Sequence, residues 1–326
     1  MKEQLEVYKI ILRGNDGDTF GKLITDKFGK ARSKNPSDVF LKMFKCIISE
    51  LDKKVWKSKS LLQGLTILKQ KAQDINQIIT SHSGHFVIEG YIDGGHYDMI
   101  RQLTELSNTS NTTAITRDKM VSDRFYIYMQ IDPSQNVGIL MIEKKGQLSI
   151  SASLCKYIEQ FFKVTNSRKC KVVRYIPPYL IEEFKNGSVV ESITCSDQVV
   201  KQILDQDGMV VRDSHYDVTI KIKPTDSEDL SGDKTHLVNQ IKEMVFSIIG
   251  KQGKKLNDFS VKKGNLKQPN GSSCQFELDD EGTIRPIINI DEDLLSENKD
   301  YLKRDQIKAL CDDILNKIKN DIYAIG

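Results

Sequence analysis

Apolar positions change their period several times along the chain, and those changes predict its elements. Leu5–Leu12 (LEVYKIIL) alternates toward apolar and predicts a strand, stopped by Gly14, Asp16 and Gly17. Asn35-Pro36-Ser37-Asp38 is a helix entry, and Val39, Leu41, Met43, Phe44, Ile47, Ile48 and Leu51 follow at near-helical spacing. Leu61–Ile79 is helical in composition. The period then becomes that of a strand in Phe86–Ile92, which Asp93-Gly94-Gly95 is expected to end. Tyr97–Leu106 reads as a short helix, and Ser107–Thr113 (SNTSNTT) as a polar loop.

The clearest strand is Phe125–Ile131 (FYIYMQI), rich in aromatics. The turn Asp132-Pro133-Ser134-Gln135-Asn136 separates it from a second strand at Val137–Ile142, which predicts an antiparallel hairpin. Ser149–Val164 carries one apolar helical face, and Cys170–Tyr175 is a strand. Pro177-Pro178 opens a helix toward Phe184, and Ser188–Thr194 and Tyr216–Ile222 are strands. Thr235–Ile249 is helical, Gln275–Leu278 and Thr283–Ile290 form a hairpin, and Tyr301–Ile322 is a closing helix. Strands and helices interleave without regular βαβ units. The expected class is therefore α+β, with mixed, mainly antiparallel sheets and packed helices. At 326 residues two domains are expected, residues 1–205 and 206–326.

Charge sharpens this picture. The net charge of +3 hides an asymmetry, because residues 201–326 hold 19 Lys and Arg against 23 Asp and Glu. The positive excess therefore lies in residues 1–200 and permits an acidic partner there. The six cysteines are scattered without a CxxC pair, which excludes a zinc ribbon or a disulfide framework and fits reduced thiols. No apolar run follows Met1-Lys2-Glu3-Gln4 or reaches the length of a membrane span, so a cytoplasmic protein is expected.

Four groups of residues could carry chemistry. Asp132 ending one strand and Glu143-Lys144-Lys145 on the next resemble the order of metal-dependent nucleases of the PD-(D/E)xK type. There two carboxylates hold Mg²⁺ and the lysine, here Lys145, steadies the attacking water or the transition-state charge. His82, His85 and His96, near Asp93 and Asp98, are ligand types for zinc or manganese, although their spacing matches no known site. Lys251, Lys254, Lys255, Lys262, Lys263 and Lys267 fall in a segment with one Asp, read as an exposed loop that neutralises phosphates, with Gly253 and Gly264 loosening its backbone. Further basic patches surround Lys163, Arg168, Lys169, Lys171 and Arg174, and Trp56 with Lys53, Lys54, Lys57 and Lys59. The acidic groups Asp279-Asp280-Glu281 and Asp291-Glu292-Asp293 lack EF-hand spacing and read as a turn and a helix start. The common nucleotide loops, GxSxG and HExxH are missing.

Phe125–Phe162, Tyr175–Ile193 and Cys274–Asp291 together resemble, in pattern, uncharacterised bacterial proteins of phage-defence islands and mobile elements. The resemblance implies a component working with other subunits and carries over no catalytic residue. The first expectation is thus a non-enzymatic, cofactor-free module of an antiviral complex that contacts nucleic acid or a partner protein. A nuclease using Asp132, Glu143 and Lys145 with Mg²⁺, and a protein scaffold without nucleic-acid contact, are the alternatives.

Overall fold

A computed structural model describes residues 3–14, 17–29, 31, 35–69, 74–98, 101–105, 107–180, 189–204, 210–222, 259, 261–267, 273–278, 284–295 and 302–323. The class is mixed α+β with antiparallel pairing throughout the described ladders. The chain divides into two units: residues 1–175 with 289–326, and residues 176–288. The boundary expected at 205/206 instead falls between two paired strands of the second unit. The closing helix belongs to the first unit, so that unit is discontinuous in sequence.

Unit 1 contains β1 (Glu3–Arg13), α1 (Phe20–Phe28), α2 (Pro36–Leu51), β2 (Trp56–Ser58), β3 (Gln63–Thr66), α3 (Ile75–Ile78), β4 (Ile79–His82), β5 (Val87–His96), β6 (Arg101–Glu105), β7 (Asn108–Ile115), β8 (Val121–Gln130), β9 (Val137–Lys145), α4 (Ser151–Phe161) and β10 (Lys169–Arg174). The closing helix, α5, spans Arg304–Tyr323. The main sheet runs β10-β1-β9-β8-β5-β3-β2, which makes β10 an edge strand. The predicted hairpin is present, with Ile127 opposite Ile142 and Gln130 opposite Ile139.

Alternation assigns the two sheet faces. Ile10, Leu140, Ile142, Ile127, Met129 and Ile88 share one face, and α1, α2 and α4 close over it with Phe20, Phe40, Met43, Leu154 and Phe161 in one buried cluster. α2 starts as its sequence demands: Asn35 Oδ1 accepts from the Ser37 N–H and Pro36 occupies the first turn. On the other face lie Glu89, Tyr126, Tyr128 and Gln130, and side chains of α5 bond to Glu89, Tyr128 and Gln130. Tyr126 is reached indirectly, through the Glu89 that Arg304 also holds.

Four expectations are corrected. Residues 61–79 do not form one helix: Gln63–Thr66 is β3, and only Ile75–Ile78 is helical. Tyr97–Leu106 and Ser107–Thr113 contain β6 and β7, paired with each other in a two-stranded ribbon. Asp93-Gly94-Gly95 does not end β5, which continues to His96 with Gly95 opposite Ser122. A side chain at Gly95 would stand 1.8 Å from the Val121 carbonyl oxygen, so glycine there permits close strand approach and makes no turn.

Unit 2 is a five-stranded antiparallel sheet, β12-β11-β13-β14-β15, of β11 (Val189–Leu204), β12 (Val210–Ile222), β13 (Val261–Lys267), β14 (Ser273–Leu278) and β15 (Ile284–Pro286). The predicted 275–290 hairpin appears as the β14–β15 pair. The helix expected at Thr235–Ile249 lies outside the described residues, as does most of that opened by Pro177-Pro178.

Candidate functional site

Asp132 and Glu143 are not brought together. Ile127 faces Ile142, so Glu143 lies beside Tyr126, whose N–H donates to Glu143 Oε2 at 2.6 Å. Asp132 is six residues further along, roughly 20 Å at about 3.3 Å per residue. Carboxylates so placed cannot share one metal, whose oxygen ligands stand near 2 Å. Asp132 instead closes its own turn, with Oδ1 accepting from the Ser134 N–H at 2.8 Å and from the Ser134 hydroxyl at 2.7 Å. Glu143 is 1% exposed, with Lys145 Nζ 3.4 Å away. Burial pushes its carboxyl up to about 7, against the opposing pull of Lys145 and the Tyr126 N–H.

The histidines separate as well. His82 sits opposite Val87 at one end of β5, and His96 is at the other. His82 Nε2 lies 3.2 Å from Glu89, while His96 meets only Gln63 at 3.4 Å among the described residues. No group of three or more His, Cys, Asp or Glu among the described residues could hold a metal ion.

His82, His85 and Asp132 do line one cleft, of about 640 Å³, with Tyr128, Lys308, Asp312, Lys319 and Tyr323. Its carboxylates are already engaged. Asp312 accepts from the Tyr128 hydroxyl and from Lys308, each at 2.6 Å. Glu89, buried behind it, takes the Arg304 guanidinium through Nε at 3.0 Å and Nη2 at 2.9 Å, and the Tyr126 hydroxyl at 3.1 Å. This network anchors α5 to the sheet and takes up both oxygens of Asp312 and both of Glu89.

The lysine segment divides. Lys251, Lys254 and Lys255 lie outside the described residues. Lys262, Lys263 and Lys267 are not on a loop but in β13, and Lys262 is buried, opposite Cys195 of β11. Lys263 faces Glu277 across the β13–β14 ladder. Gly264 does not loosen this strand either: the Phe276 ring occupies the space its Cβ would need, 2.0 Å away.

The remaining basic patches meet at α4. Its apolar positions Leu154, Tyr157, Ile158 and Phe161 are buried, which turns Lys156, Glu159 and Gln160 outward at i, i+3 and i+4, and exposed Lys163 follows two residues past the helix end. Lys27 of α1 donates to the Gln160 carbonyl at 2.9 Å and to the Phe161 carbonyl, and so serves the helix's negative end. Between α4 and the edge strand β10 runs a groove of about 390 Å³, lined by Arg13, Lys156, Glu159, Gln160, Lys163, Lys169, Cys170 and Lys171. Glu159 is its one acidic residue, and it accepts from the Val172 N–H of β10 at 2.9 Å. Arg168 and Arg174, grouped by sequence with these lysines, are withdrawn into ion pairs, Arg168 with Asp18 and Asp26 and Arg174 with Glu6. Arg13, which the sequence reading did not select, joins because it pairs with Lys169 in the β1–β10 ladder.

No family model, no curated protein and no solved structure matches this chain. No helix among the described residues is long and apolar enough to cross a membrane.

Proposed function

We propose that unit 1 is a non-enzymatic binding module that holds nucleic acid by its phosphates along the groove between α4 and β10. One observation carries this reading. Arg13, Lys156, Lys163, Lys169 and Lys171 line a single groove, and none makes an ion pair among the described residues. Such a set neutralises phosphates and releases counterions, which gives affinity without sequence readout. Lysines on an edge strand also hinder edge-to-edge pairing. That role does not account for Lys156 on the helix, for Lys163 just past its end, or for Arg13 on the inner strand. The positive excess of residues 1–200 supports the same reading.

The resemblance to defence-island proteins adds the setting, a subunit of a bacterial antiviral complex. The reading is tested by fluorescence anisotropy with an end-labelled oligonucleotide. Reversing Lys156, Lys163, Lys169 and Lys171 to Glu should weaken binding at least about tenfold for all sequences alike. A control reversal of Lys317 and Lys319 on α5 should leave it unchanged. Equal effects of the two sets, or no binding by wild-type protein at low salt, would leave a solvated surface and favour the protein scaffold.

A further inference from the structure

Trp56, the chain's one tryptophan, borders the basic groove. Its Nε1 donates to Gln160 Oε1 at 3.2 Å, and Gln160 lines the groove. Lys156, also in the groove, donates through Nζ to Ser60 Oγ, just beyond β2. The patch around Trp56 and the patch around Lys163, about a hundred residues apart in sequence, are therefore continuous across the outward stripe of α4. The Trp56 ring meets Tyr157 edge-on, with centroids 5.5 Å apart at 72°, and the residue is only half-buried. Lys53, Lys54, Lys57 and Lys59 around it are exposed. Lys57 alternates to the opposite face of β2, where its Nζ lies 5.3 Å from the centroid of the Tyr97 ring, so it is not part of the Trp56 side.

We infer that this surface binds single-stranded nucleic acid, with a base stacked on Trp56 and the phosphates following the groove to Lys169 and Arg13. The inference rests on the phosphate-binding reading of the groove and adds the class of strand. A cationic track beside an aromatic ring suits unpaired bases, which offer a π-face to any such ring. In a duplex those faces are already stacked, so a duplex gains only the phosphate contacts.

The tryptophan itself reports the outcome. Full-length protein is titrated with 20-nucleotide oligo(dT), oligo(rU), a DNA duplex of equal length and heparin, a polyanion without bases. Trp56 fluorescence and anisotropy of labelled strands are followed together. The expected result is quenching of Trp56 by one or both single strands, little change with heparin, and at least about fivefold tighter binding of single strand than duplex. The dT and rU arms show which sugar is preferred. Trp56→Leu, which keeps an apolar side chain against Tyr157, should weaken single-strand binding about tenfold, and Trp56→Phe should restore most of it. Equal affinity for strand and duplex without base-dependent quenching would overturn the stacking inference and leave the phosphate groove standing. Absence of binding in every arm would overturn both. The wild-type titration decides even where a Trp56 variant fails to fold.

Discussion

Arg13 and Lys169 face each other across the β1–β10 ladder, two cations at one register position beside the sheet edge. Side chains directly opposite stand about 5 Å apart, and like charges there oppose pairing. The isolated protein bears this repulsion, and a bound phosphate would relieve it. Lys169→Gln is accordingly expected to raise stability by about 0.5 kcal/mol while lowering affinity for an oligonucleotide. Urea unfolding and anisotropy on the same variant test the pair of signs. A variant that loses stability and keeps its affinity would contradict the role given to Lys169.

The anchor of α5 is tested by Arg304. Its guanidinium bonds both oxygens of Glu89, which is 2% exposed, and the carbonyls of Asn76, Gln77 and Glu89. Arg304→Met leaves a buried carboxylate without its cation and should cost about 3–5 kcal/mol. The double variant with Glu89→Gln should recover a large part of that loss, since it also removes the stranded charge. Urea denaturation of the two variants measures the difference. A single variant within about 1 kcal/mol of wild type would show that the closing helix is held by its apolar stripe alone.

Glu143 predicts a pH dependence of stability. Burial raises its carboxyl from 4.5 to about 7, so the folded state prefers the protonated form. The associated stability is fully present below about pH 4.5 and is lost as pH rises through about 7. Glu143→Gln, neutral at every pH, should flatten this dependence and be more stable than wild type at pH 8 by on the order of 2–3 kcal/mol. Thermal melts between pH 4.5 and 8 provide the comparison. Parallel melting curves for wild type and variant would place the titration elsewhere.

Much of the fold was legible in local pattern. The aromatic and β-branched residues of β8 and β9 and the Asn35-Pro36 entry of α2 predicted those elements because each agrees with its final environment. The ribbon β6–β7 was not legible: Thr112, Thr113 and Ala114 are exposed, so no apolar alternation marks the strand. Gly94 and Gly95 read as a stop because glycine serves turns and close approaches equally. Site residues were legible only as charge. Lys163, Lys169 and Lys171 were found as a cluster, whereas the partners that remove Arg168 and Arg174 from it, Asp18, Asp26 and Glu6, lie far off in sequence. The buried position of Lys262 likewise depends on its neighbours β11 and β14, which the lysine count does not see.

Salt dependence tests the central claim most directly. The measurement is the affinity of full-length protein for a single-stranded oligonucleotide across roughly 50–300 mM monovalent salt, as a plot of log K against log salt. If the five cations of the groove each neutralise one phosphate, the slope should be about −3.5, at about 0.7 per contact on a single strand. Replacing Lys156, Lys163, Lys169 and Lys171 with Gln should flatten it by about 2.8. A wild-type slope near zero, or the same slope in wild type and variant, would contradict a phosphate-binding groove between α4 and β10.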